Sequence, residues 1–211
     1  MVIFGTISIF VKNIAVTSGE IAFWRVLIAL AVILAFKLIR REKLPIKEAK
    51  EDVIWLVLSG VAIGVDWILF FEALKYASVS ITTLTYYFCP VLLMVLSPLI
   101  FKERINGKQW LFFLMATLGL VLIVGARTSG SDKELIGIAL ALCAAFCYAF
   151  IIIINKRIKS VSGIDKTVFQ FISALALLCV YAPLTSGFQV SALYTKRLVC
   201  LGVVGLVHTG F

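Results

Sequence analysis

Seven apolar runs, each of membrane-crossing length or close to it, are strung along this chain with short charged loops between them. About 20 apolar residues in helical form cross the roughly 30 Å hydrocarbon core, and a helix closes its own backbone hydrogen bonds there. The runs therefore predict transmembrane helices. Segment one is Met1–Val11, two is Ile21–Ile39, three is Val53–Leu74 and four is Ser78–Phe101. Segment five is Trp110–Ala126, six is Leu135–Asn155 and seven is Thr167–Phe188. An eighth begins at Leu198 and stops at Phe211, too short to cross at about 1.5 Å of rise per residue. Segment one lacks the basic start and small-residue cleavage site of a signal peptide, so it reads as a helix. The expectation is an all-α, multi-pass membrane protein, truncated at its C-terminus and also at its N-terminus.

Composition fixes the solvent. A chain of 211 residues with 62% hydrophobic and 15% charged residues, and a mean hydropathy of +1.10, lies outside the range of soluble domains. The net charge of +9 does not mark a nucleic-acid binder, because Lys and Arg sit in short loops and form no stripe with interleaved aromatics. Their role is topogenic. The loops after segments two, four and six hold thirteen of them, from Lys37 to Lys166, against six on the opposite side. The excess places those loops, and the N-terminus, in the cytoplasm of a plasma-membrane protein.

The remaining chemistry is sparse. All five cysteines fall inside apolar runs and read as small apolar side chains. Cys143 and Cys147 share a helix face, but no His or acid lies near them to complete a metal site. A single His and no clustered acids argue against an enzyme, and no metal or cofactor is expected. Neither a filter loop nor a charged ring suggests a channel, and no nucleotide motif suggests direct ATP use.

The chain also resembles itself. VKNIAVTSGEIAFWRVLIALAVI, residues 11–33, recurs as NKRIKSVSGIDKTVFQFISALALL, residues 155–178, with Arg25 opposite Gln170. LVLSGVAIGVDWILF, residues 56–70, recurs as LVCLGVVGLVHTGF, residues 198–211, with Asp66 opposite His208. The repeat unit is five helices, with residues 1–126 as the first copy and 135–211 as an incomplete second. An odd unit makes the second copy enter from the other side. Inverted repeats of this kind build alternating-access transporters, with substrate near the midplane where the copies meet. Any two apolar helices look somewhat alike, but the paired loops TSGE and VSGID are not constrained by hydropathy.

The stretch FFEALKYASVSITTLTYYFCPVLLMVLSPLIFKERINGKQWLFFLMATLGLVLIVG, residues 70–125, resembles the EamA branch of the drug/metabolite transporter superfamily. It carries the small-residue turn between helices three and four, a mid-helix Pro, the Lys-Glu-Arg exit and a Gly-containing fifth helix. GLVHTGF, residues 205–211, is similar to the opening of that family's eighth helix. The resemblance implies ten helices in two inverted five-helix repeats, of which about seven and a half are present here. It implies a secondary transporter, an exporter of small metabolites such as amino acids or drugs. The rival is a truncated, non-transporting membrane protein or pseudogene product. The expected partners are the lipid bilayer and a small-molecule substrate, with room for a homodimer.

Ionisable groups inside spans are the sharpest candidates, since burying one in lipid costs about 2.5–3.5 kcal/mol on insertion scales. Asp66 lies about 12 Å from the outer end of segment three, near midplane, and His208 reaches a similar depth. As repeat counterparts they form a candidate pair lining a central cavity. An acid and a neutral His there suit proton coupling, because His titrates near physiological pH. Asp66 reads equally well as a carboxylate hydrogen-bonded between helices, and His208 as a packed side chain. Arg25 and Glu72 lie at similar outer depth, so an interhelical ion pair with a gating role is open. The plainer reading is snorkelling for Arg25 and an i,i+3 contact with Lys75 for Glu72. Pro90 predicts a kink in segment four, with Tyr86 and Tyr87 just before it; only one of the two faces inward. Trp67, beside Asp66, flanks the same region, and Gly60 with Gly64 forms a close-packing face.

Overall fold

The computed structural model describes residues 17–186 apart from 43, 102–105, 128–130 and 162. Segments one and eight, and His208 with them, lie outside the described residues. Eight helices are described: α1 (Ser18–Ile39), the short α2 (Ile46–Ala49), α3 (Val53–Tyr76), α4 (Val79–Tyr86), α5 (Cys89–Phe101), α6 (Gly107–Arg127), α7 (Asp132–Arg157) and α8 (Gly163–Ser186). Among the described residues six stretches are long and apolar enough to cross a membrane, α4 and α5 together supplying one of them. The protein is a multi-pass helical membrane protein.

Four helices, α1, α6, α7 and α8, start three or four residues before the apolar run begins, because a polar first turn belongs to the helix. Thr17 caps α1 by accepting from the Glu20 N–H, Ser78 caps α4 through the Ile81 N–H, and Ser131 caps α7 through the Glu134 N–H. Each satisfies a backbone donor that has no partner within its helix.

Segment four is not the single kinked helix its apolar run predicted. The chain breaks at Tyr87–Phe88, and Pro90 stands as the second residue of the new helix α5, not inside a continuous one. Pro has no N–H to reach the Tyr86 carbonyl, and its ring crowds that carbonyl. The ladder therefore closes early, with Phe88 N–H donating to the Thr85 carbonyl, and restarts when Val91 and Leu92 donate to the Phe88 carbonyl.

Helix α3 is the central post. It packs most extensively on α7 and α8, while α1 lies against α8 and α3, and α4 and α5 lie against α7. Between helices in lipid no hydrophobic drive operates, so close approach of small residues carries the packing. Gly60 and Gly64 of α3 face Gln170, Ala174 and Leu177 of α8. Gly137 of α7 faces Ala77, where an added Cβ would stand 2.7 Å from the alanine methyl. A buried cluster joins Val26, Ala29 and Leu30 of α1 to Trp67 and Phe71 of α3 and to Val168 and Leu178 of α8. By contrast α6 exposes Leu111, Phe112, Met115, Leu118 and Leu122, a face suited to lipid.

The helices alternate in direction. Gly19 at the start of α1 lies against Tyr181 near the end of α8, whereas Lys37 at the end of α1 pairs with Asp165 at the start of α8. At that second end the Asp52 carboxylate accepts the backbone N–H groups of Lys159 and Ser160, each at 2.9 Å. These bonds hold the Asp52 carboxyl below the usual aspartate range. The α1–α3 and α7–α8 connections therefore emerge together.

Candidate functional site

Asp66 sits mid-way along α3, about 20 Å from its Val53 end and about 15 Å from its Tyr76 end at helical rise. It is 1% exposed. The break after α4 turns Tyr86 toward it, and the tyrosine hydroxyl donates to Asp66 Oδ2 at 3.1 Å. The Tyr86 ring is held between Phe70 of α3 and Tyr148 of α7, at centroid distances of 4.8 and 5.6 Å. The other oxygen, Asp66 Oδ1, is buried with no hydrogen-bond partner among the described residues.

Arg25 enters from α1 and is 3% exposed. Its guanidinium carbon lies 4.1 Å from the Trp67 ring centroid and 5.6 Å from that of Phe71. A desolvated cation over an indole gains on the order of 2 kcal/mol. That offsets part of the burial cost and replaces snorkelling as the account of this residue. Trp67 is fixed in turn by an edge contact with Phe171 of α8, centroids 5.8 Å apart. Arg25 Nε and Nη2 have no hydrogen-bond partner among the described residues. The Arg25 and Asp66 charges lie near enough to attract, yet no ion pair within 4.0 Å joins them. The structure thus brings together Arg25, Asp66, Trp67 and Tyr86 from three helices.

Two candidates fall elsewhere. Tyr87 is 37% exposed, whereas Asp66 is buried. Glu72 accepts from Lys75 Nζ at 2.8 Å and from the Ser18 hydroxyl, so the Arg25–Glu72 ion pair is not formed. Lys75, one turn along the same helix, is the nearer cation, and Arg25 is committed to the Trp67 face. Two features were not visible in the sequence pattern. Thr82, Thr83 and Thr85 of α4 bury hydroxyls with no hydrogen-bond partner among the described residues. A threonine-rich turn within an apolar run was the available signal. Gln170, which the repeat marks only as the counterpart of Arg25, donates to Ser59 Oγ at 2.8 Å and to Asn155 Oδ1 at 2.5 Å, tying α8 to α3 and α7.

The profile of the EamA-like transporter family matches residues 1–125, more than half the chain, including every member of this cluster. This chain belongs to the EamA-like transporter family. Among its relatives, the uncharacterized transporter YxxF of Bacillus subtilis (strain 168) is 28% identical over 218 residues, covering all of this chain and 67% of that protein. The protein RarD of Escherichia coli (strain K12) is 30% identical over 111 residues, 53% of this chain and 35% of RarD. RarD of Salmonella typhi is 29% identical over 146 residues, 68% of this chain and 47% of its own length. The chain thus spans about two thirds of YxxF and less than half of either RarD protein. No solved structure matches. Family membership and the six apolar spans together make this EamA-like protein a membrane protein of a transporter family.

Proposed function

We propose that this EamA-like protein is a secondary transporter that exports small metabolites, such as amino acids or drugs, across the plasma membrane by alternating access. The observation that carries the reading is the buried polar cluster at mid-span. A carboxylate kept only to join helices is expected to have both oxygens satisfied, because each unpaired buried polar group costs about 1–3 kcal/mol. Here one oxygen of Asp66 and two nitrogens of Arg25 lack partners among the described residues. Intramembrane charges left in that condition are where transporters meet their substrates and coupling ions.

The inverted repeat supplies the motion in this reading. Its counterparts α1 and α8 lie antiparallel, and α3 of the first copy meets α7 and α8 of the second, which supports an interface between copies at the cluster. Asp66 would then carry the coupling proton.

The test is tolerance of cells to a panel of toxic amino-acid analogues and drugs, with the wild-type protein and with Asp66→Asn at several external pH values. Export predicts raised tolerance to at least one compound, with a pH dependence that the Asn variant loses. No change for any compound overturns transport, and an unaltered pH dependence in Asp66→Asn overturns the proton relay alone.

A further inference from the structure

We infer that the substrate carries a carboxylate, gripped by the side edge of the Arg25 guanidinium, and a hydrogen-bond donor that reaches Asp66 Oδ1. Binding itself is independent of the transporter reading; only translocation of the bound molecule rests on it.

Among the described residues, the two Arg25 nitrogens without a hydrogen-bond partner are Nε and Nη2. Their N–H bonds lie parallel along one edge of the planar guanidinium. That edge matches the two oxygens of a carboxylate and forms two parallel charge-assisted hydrogen bonds with it, which a point charge such as lysine does not reproduce. The flat face of the same group is already occupied by Trp67 at 4.1 Å, so the ring fixes the plane in which the fork must receive its partner. A cation that only needed neutralising would close on Asp66, and that ion pair is not made.

Asp66 supplies the second pole. Tyr86 occupies Oδ2, which among the described residues leaves Oδ1 as an acceptor for one donor. The Arg25 and Asp66 charges lie near enough to attract, and Tyr86, bonded to Asp66, lies near Arg25 as well, so the two poles belong to one site. A molecule that answers both has a carboxylate at one end and an amine or hydroxyl a few bonds away. A lone cation leaves the Arg25 fork unpaired, and a lone anion leaves Asp66 Oδ1 unpaired. Either omission carries the cost of a buried, unsatisfied polar group.

Thermal unfolding of the purified full chain in detergent tests this with three probes of one shape. Leucine offers carboxylate and ammonium, 4-methylpentanoate keeps only the carboxylate, and leucinamide keeps only the ammonium. At millimolar concentration leucine is expected to raise the unfolding temperature most, 4-methylpentanoate less, and leucinamide not at all. Arg25→Gln is expected to weaken both carboxylate probes at least about tenfold, the effect of losing a charge-assisted pair of bonds, with Arg25→Lys between it and wild type. Asp66→Asn should bring leucine down to the level of 4-methylpentanoate. The acid-against-amide comparison on wild-type protein holds even where a variant fails to fold. A response to leucinamide equal to that of leucine, or no response to either carboxylate, overturns the inference. Because binding is read without transport, a protein that binds leucine but confers no tolerance sinks the exporter reading and leaves this one standing.

Discussion

Gly60 lies so close to the backbone carbonyl of Gln170 that a Cβ at this position would run into its oxygen and stand 2.5 Å from the Ser173 Cβ. The contact joins α3 to α8 through backbone rather than side chain, so neither helix can give way by changing a rotamer. Gly60→Ala is expected to lower stability by about 1–3 kcal/mol, the usual cost of overpacking. Gly119→Ala, where nothing lies within 4 Å of the added methyl, should cost nothing. Thermal unfolding of the two variants in detergent gives the comparison, and equal midpoints would refute this contact as a packing constraint.

The Gln170 side chain bridges three helices from that same residue. Replacing it with Leu strips the donor from Asn155 Oδ1 and from Ser59 Oγ, although Ser59 keeps its own bond to the Leu56 carbonyl at 3.0 Å. The loss should fall at about 1–3 kcal/mol, since a half-buried amide oxygen is left unpaired. A Gln170→Leu protein as stable as wild type would show the bridge to be incidental.

Hydropathy gave the positions of the six spans seen among the described residues, segments two to seven, because length and charge placement along the chain are one-dimensional properties. What it could not give was rotation about each axis. Tyr86 and Tyr87 sit at one depth in one apolar run, and only the break at Tyr87–Phe88 decides that the first meets Asp66 and the second faces outward. Glu72 and Arg25 likewise shared a depth without sharing a face. The sequence singled out Arg25, Asp66 and Trp67 because charge and a deep indole are rare in spans. Gln170 and the threonines of α4 stayed hidden, since neutral polar residues carry no comparable penalty. The capping turns of α1 and α7 were missed for the opposite reason: they are polar, and a hydropathy window ends where they begin.

Tyr86→Phe removes the hydroxyl that donates to Asp66 Oδ2 and keeps the ring against Phe70 and Tyr148. Both carboxylate oxygens then lack a donor among the described residues, and stability should fall by about 1–3 kcal/mol. Adding Tyr86→Phe to an Asp66→Leu background should cost much less, because the acceptor is already gone. The double-mutant cycle measures the coupling, and strictly additive losses would mean that the two residues do not act as a pair.

Asp52 offers a pH test outside the membrane. The backbone N–H groups of Ser160 and Lys159 hold its carboxyl below the ordinary aspartate value of 3.8. A folded-state value depressed in this way contributes stability that is fully present above 3.8 and is lost as pH falls through the lower, folded value. Asp52→Asn keeps an oxygen that can accept but has no charge to titrate. The wild-type protein should therefore exceed Asp52→Asn in stability at neutral pH, and the gap should narrow only on the acid side of 3.8. Unfolding midpoints of both proteins across that range decide the matter. A gap that stays constant down to the most acid point would mean that the carboxylate charge contributes nothing to tying the α1–α3 connection to the α7–α8 connection.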